Sequence, residues 1–349
     1  MIRRLLVAAG VAAIPAAAAG LVLRRAADRL LDAPRVLPEE ASLGPDLDAL
    51  GGEVVRLRSR DGLRLTARWL PSAEASGDWS PDPYEAILLL HGWSGSVAPD
   101  AVEYGPFLRR TAGLLALDFR GHGDSDPSPT TFGLREVEDV AGALAWLGDR
   151  GIRRVAMFGT SMGGITALAA AVVLGDGTMP EADADPNAPA ETTKAPRPRI
   201  VGIVAESVPP ELPMAIRNRL RGPLRGPISR HLFTAAAQRL GADMRSTEPI
   251  RVIGLVEVRV LLIHGDADTT VPLDDGRRLL ASAGPNVEQW VVPGATHSRA
   301  HAAGPHAYEE RVTAFLRTTL TGARDSEAIL RASPARKPAR KRARRVVND

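Results

Sequence analysis

The chain of 349 residues contains no cysteine, which removes disulfides, thiolate nucleophiles and cysteine-held zinc or iron–sulfur centres together and leaves the redox compartment undetermined. A zinc-hydrolase helix, with two His four residues apart and a Glu between them, is also missing. His297 and His301 have that spacing, but no Glu separates them and Pro305 follows closely. No metal and no cofactor are therefore expected. No internal repeat is present, and the basic excess is not spread along the chain. Residues 1–31 carry a net +4 and residues 331–349 a net +7, which leaves −8 for residues 32–330 out of a total of +3. The basicity belongs to the ends and gives no reason to expect a nucleic-acid-binding core.

What is present is an apolar share of 44%, enough for a sizeable core. Leu5 to Leu23 form 19 residues without a charge, flanked by Arg3 and Arg4 before and Arg24 and Arg25 after. A bilayer core needs about 20 such residues in a helix. Three readings are open for residues 1–31: a signal anchor, a signal peptide cleaved near Ala17 to Ala19, or a buried helix. The first two make the protein membrane-associated or exported, and basic residues on both flanks leave the side of the membrane undecided. Residues 32–52 read as a linker. The last segment, residues 321–349, reads as a basic disordered tail, a solvated run with anionic lipid contact as its sharper alternative.

Residues 53–70 alternate as a hairpin about Arg60, Asp61 and Gly62. Short apolar runs follow at Ala86–Leu90, Gly113–Leu117, Arg154–Phe158, Ile200–Ala205, Val258–Ile263 and Gln289–Val292, as expected of strands buried on both faces of a parallel sheet. Helical spacing lies between them, clearest from Leu134 to Leu147. The expectation is an α/β domain over residues 53–320 with helices on both faces of a mostly parallel sheet. Two intervals interrupt it: residues 175–199, rich in Pro, Asp, Ala and Glu, as a flexible insertion, and residues 209–255 as a small helical cap.

After the strand ending at Phe158 stands Gly159-Thr160-Ser161-Met162-Gly163-Gly164 and then an Ala-rich helical stretch. That is a G-x-S-x-G turn between strand and helix, which exposes the serine at the carboxyl end of a sheet. A serine hydroxyl needs a base to take its proton and an acid to orient the base. Carboxylates are offered by His264-Gly265-Asp266-Ala267-Asp268 after one strand, and an imidazole by Pro293-Gly294-Ala295-Thr296-His297 after the last. The order Ser, Asp, His suits the fold. Glu206 is the alternative acid, and His301 and His306 are the alternative bases.

These segments, together with His91-Gly92-Trp93-Ser94-Gly95 and Asp118-Phe119-Arg120-Gly121-His122-Gly123-Asp124-Ser125, resemble the α/β-hydrolase superfamily over about residues 53–320. Within it the chain looks most like the serine esterases and aminopeptidase-like hydrolases with a short cap. The resemblance implies Ser161 as nucleophile, His297 as base, Asp268 as its acid, and an oxyanion hole from the backbone N–H groups of Trp93 and Met162. It implies a serine hydrolase acting on a small-molecule ester or related acyl bond. Peptide hydrolysis, acyl transfer, perhydrolysis and a non-catalytic membrane-bound binding protein remain as alternatives, since fold alone does not choose among them.

Overall fold

The computed structural model describes residues 21, 24–74, 79–175 and 197–332. The apolar stretch of residues 5–23 and the C-terminal basic run lie almost wholly outside them, as does most of the expected insertion. Among the described residues no helix is long and apolar enough to cross a membrane.

Eight strands form one sheet: β1 Glu53–Arg58, β2 Arg64–Leu70, β3 Glu85–Leu90, β4 Gly113–Leu117, β5 Arg154–Thr160, β6 Arg199–Glu206, β7 Arg259–Gly265 and β8 Val287–Val292. Their order is β1-β2-β4-β3-β5-β6-β7-β8. β1 and β2 pair antiparallel as the expected hairpin, and β2 also pairs antiparallel with β4; every other pairing is parallel.

The helices that flank the sheet and the site include α1 Ala98–Leu108, α2 Glu136–Asp149, α3 Met162–Leu174, α4 Leu212–Arg219, α5 Arg225–Leu240, α6 Leu273–Ala281 and α7 Pro305–Ala332. In β3 every residue is buried, because the pleat sends alternate side chains into two separate cores. Leu88 and Leu90 pack with α2 and α3. Ile87 and Leu89 pack with Tyr104 and Phe107 of α1 and with Tyr308, Phe315 and Leu316 of α7. The uninterrupted apolar runs of the sequence are the consequence of this double coverage.

The chain turns back on itself at β3, which lies between β4 on one side and β5 on the other. A sheet of this kind opens a crevice at the carboxyl ends of the strands where the order reverses. The loops after β3 and β5, carrying Trp93 and Ser161, meet there.

Two boundaries differ from the sequence reading. Residues 32–52, expected as a linker, form a 3-10 turn at Pro38–Leu43 and a short helix at Gly44–Ala49. The carboxylate of Glu40 is buried and accepts from the Ser96 N–H at 3.1 Å and the Ser96 hydroxyl at 2.7 Å. This fastening depends on a partner 56 residues away, so no local pattern announces it. α7 runs on to Ala332, past the expected start of the tail at 321.

Candidate active site

Ser161 sits between β5 and α3 with φ 48° and ψ −109°, a strained conformation for a residue with a side chain. The surrounding backbone over-determines it. The Ser161 N–H donates to the Glu206 carbonyl at 2.8 Å, and the Ser161 carbonyl accepts from the Ile165 N–H at 3.0 Å. A Cβ on Gly163 would stand 1.9 Å from the Leu90 carbonyl oxygen, and one on Gly159 would stand 2.4 Å from the Gly163 carbonyl carbon. Only glycine permits this approach. The non-glycine residues of positive φ among those described are Ser94, Phe132, Ser161, Ser207 and Ser298. Four of them are Ser161 itself, a wall of the cavity beside it, or the residues next to Trp93 and His297.

The structure brings three of the expected side chains into one line. His297 Nε2 lies 3.1 Å from Ser161 Oγ, and His297 Nδ1 lies 2.8 Å from Asp268 Oδ2. The other Asp268 oxygen accepts the N–H groups of Thr270 and Val271, both at 2.8 Å. Burial would raise the Asp268 pKa, but the His297 hydrogen bond, the attraction of its ring and the Val271 N–H outweigh it and hold the carboxyl below its ordinary value. Asp268 is thus an ionised acceptor beside an imidazole.

The alternatives fall elsewhere. Asp266 accepts the Gly294 N–H at 2.7 Å and shapes the turn. His301 is 3.1 Å from Glu103 and stacks on Phe107, and His306 is exposed on α7. Glu206 is fully buried, with its oxygens taken by the Ala300 N–H at 3.0 Å and the Tyr308 hydroxyl at 2.6 Å. Burial raises its pKa against both hydrogen bonds. It fastens the loop that carries His297, together with the Ser207 hydroxyl, which accepts from the Ser298 N–H at 3.0 Å.

Three other histidines serve the backbone, and His231 is exposed on α5. His91 accepts the Phe119 N–H at 3.1 Å, His122 accepts the Ser94 N–H at 3.2 Å, and His264 donates to the Val271 carbonyl at 2.6 Å. Desolvation keeps His91 and His122 neutral, with pKa values below the ordinary one.

Beside Ser161 lies a cavity of about 160 Å³, walled by Leu30, Trp93, Phe132, Met162, Ile165 and Phe233 and by Leu212 and Ile216 of α4. Trp93 and Met162 both border it. Among the described residues neither of their N–H groups enters a turn or cap hydrogen bond, which leaves two donors at the start of α3 and the end of β3. Among the described residues no group of His, Asp and Glu is arranged to hold a metal ion.

Leu30 was not foreseen as part of the site. It belongs to a helical stretch at residues 24–31, where Ala27 and Leu31 are buried. The Trp93 indole N–H donates to the Leu30 carbonyl at 3.1 Å, and Arg239 of α5 pairs with Asp28 and, at 3.1 Å, with Asp32. Leader-like composition hid this contribution, since nothing local distinguishes a helix that docks from one that leads elsewhere.

Residues 87–311 match the alpha/beta hydrolase family, and the chain belongs to it. Relatives include the uncharacterized protein YfhR of Salmonella typhi, 23% identical over 275 residues that make up 77% of this chain and 82% of that protein. The uncharacterized protein YqkD of Bacillus subtilis is 26% identical over 238 residues, 67% of this chain and 72% of the relative. Among solved structures, the Pyrococcus furiosus esterase Pf2001 superposes with a TM-score of 0.59 at 21% identity, covering 83% of this chain and 98% of that one. The esterase RhEst1 of Rhodococcus sp. ECU1013 does so at 0.51 and 19%, covering 76% and 99%. At these identities the two structures speak for the fold.

Proposed function

We propose that the protein is a serine hydrolase that cleaves a carboxylic ester through an acyl-enzyme. The observation that carries this reading is the continuous line from Asp268 through His297 to Ser161, at 2.8 and 3.1 Å. In it His297 Nε2 takes the Ser161 hydroxyl proton as Oγ attacks the acyl carbon. Asp268 holds the Nδ1–H tautomer and stabilises the imidazolium. The N–H groups of Trp93 and Met162 receive the negative charge on the carbonyl oxygen, each worth a few kcal/mol in the transition state. His297 then gives its proton to the departing alcohol, and a water molecule activated by the same imidazole releases the acid and restores Ser161.

The same reading keeps residues 5–23 as a membrane anchor. It is supported by their length and by the docking of residues 24–31 against the cavity wall, which sets the apolar stretch next to the site in sequence. Carbonate-resistant sedimentation of the full chain with membranes, lost on removing residues 1–20, is the expected result; an unchanged soluble fraction would discard the anchor.

The function is tested with the purified full chain in detergent, using a fluorescent fluorophosphonate and nitrophenyl esters. Labelling and turnover are expected, and Ser161→Ala should abolish both. A folded wild-type protein that neither labels nor turns over esters would refute the hydrolase reading in favour of a binding protein. Labelling with amide but no ester turnover would replace the ester by a peptide bond.

A further inference from the structure

α4 separates two cavities. Leu212, Ala215, Ile216, Arg219 and Leu220 face the one beside Ser161, whereas Pro213, Met214 and Arg217 face a second, of about 510 Å³, on the other side. This is the three-and-four spacing of a helix with two working faces. On the inner face one residue is out of character. Arg219 is the one charged residue in a wall that, apart from Ser161, is otherwise made of Leu, Ile, Phe, Trp, Met, Ala and Pro side chains.

Among the described residues Arg219 has no carboxylate partner. Its one hydrogen bond, at 3.5 Å, goes to the Ala215 carbonyl of its own helix. Arg217, Arg221, Arg225, Arg230 and Arg245 likewise have no carboxylate partner among the described residues, whereas Arg239 pairs with Asp28 and Asp32 and Arg251 with Glu248; Arg219 differs from the other unpaired arginines in bordering the cavity beside Ser161. Arg219 is accessible at the rim, and desolvation draws its pKa below the ordinary value against the attraction of Asp268. A cation so placed gains most from an anion that enters the cavity with the substrate.

The chemistry fixes which half of the ester enters. The departing alcohol must face His297 Nε2 to receive its proton, and His297 does not border this cavity, whereas Ser161, Trp93 and Met162 do. The cavity is therefore the acyl side. Charge along the chain agrees: residues 209–255 hold eight arginines against three carboxylates, within a stretch of net −8 from 32 to 330. A basic cap on an acidic body concentrates anions at its own entrance.

We propose that the substrate is an ester of an acid that carries a second negative charge, which Arg219 binds. A cavity near 160 Å³ holds an acyl chain of about six carbons, since one of similar volume takes up benzene. The proposal rests on the ester-hydrolase reading above. The reaction is hydrolysis of a half-ester: the acyl–oxygen bond breaks, water supplies hydroxyl to the acid and hydrogen to the alcohol, and a dicarboxylate leaves.

The test compares mono-4-nitrophenyl adipate with 4-nitrophenyl hexanoate on the full chain. At low salt the adipate half-ester should show the higher kcat/KM, and Arg219→Gln should reduce the adipate-to-hexanoate ratio by about 10- to 100-fold. Arg217→Ala, on the opposite face of the same helix, should retain the ratio. Salt at about 0.5 M should shrink the wild-type ratio. A wild-type preference for hexanoate, or an unchanged ratio in Arg219→Gln, would overturn the proposal while fluorophosphonate labelling of Ser161 left the hydrolase reading standing. Absence of labelling would overturn both.

Discussion

Asp100 offers a sharp test of the electrostatics behind the nucleophile. It stands in the first turn of α1, and its carboxyl accepts the Thr160 hydroxyl at 2.8 Å, one residue before Ser161. Burial is the main cause that lifts its pKa from 3.8 to about 7. The Thr160 hydrogen bond and Arg299 oppose that rise, while Glu103 and Glu206 add to it. The sign follows from linkage: an acid whose folded pKa is raised contributes stability that is complete below the unfolded pKa and lost as pH rises through the folded one. Between pH 5 and 7 the wild type should therefore lose stability relative to Asp100→Asn by about 1.4 kcal/mol per pH unit, and the difference should level off above pH 7. Urea unfolding of both proteins at pH 5 and pH 8 gives the variant a relative gain of about 3 kcal/mol across that interval. Taking the difference cancels any pH-independent cost of the amide at Thr160. A relative stability that stays flat between the two pH values would show that Asp100 is ionised throughout and that the buried carboxylates behind Ser161 are better solvated than their packing implies.

Three further outcomes are expected. Asp268→Asn keeps the shape but favours the wrong His297 tautomer, so kcat should fall about 10⁴-fold with little change in folding; a loss under tenfold by steady-state kinetics would remove Asp268 from its role. Gly163→Ala places a methyl group 1.9 Å from the Leu90 carbonyl oxygen, backbone that cannot yield, and should prevent folding or lower the melting temperature sharply by circular dichroism; wild-type melting would refute the close approach. Removing residues 1–31 deletes the cavity wall at Leu30 and the fully buried Leu31. Stability should drop by about 3 kcal/mol and kcat/KM with it, whereas a chain starting at residue 21 should match the full protein; equal behaviour of the two truncations would show that residues 24–31 only cover the surface.

Much of the site was legible because its signals are local. The turn at Ser161 needs glycines two residues to either side, and the loops carrying Asp268 and His297 each follow a short apolar run at the carboxyl end of its strand. Such requirements act over a few residues and are written there. The fully buried strands were legible for the same reason: double coverage by helices turns an alternating pattern into an unbroken one.

What the amino-acid order determined by itself was thus the set of strands, the helices between them and the chemical groups at their ends. Tertiary structure alone decided the strand order, the antiparallel contact of β2 with β4, and the reversal at β3 that brings Trp93 beside Ser161. It placed His297 rather than His301 at the serine, and set Glu206 to hold the His297 loop. It also made Leu30 a wall of the cavity, and set Arg219 beside the cavity at Ser161 and Arg217 beside the second one. The physical reason is common to all of these: they depend on which surfaces meet after residues far apart in the chain pack together, and two arginines two positions apart on one helix are alike in sequence until each face of the helix meets its own neighbours.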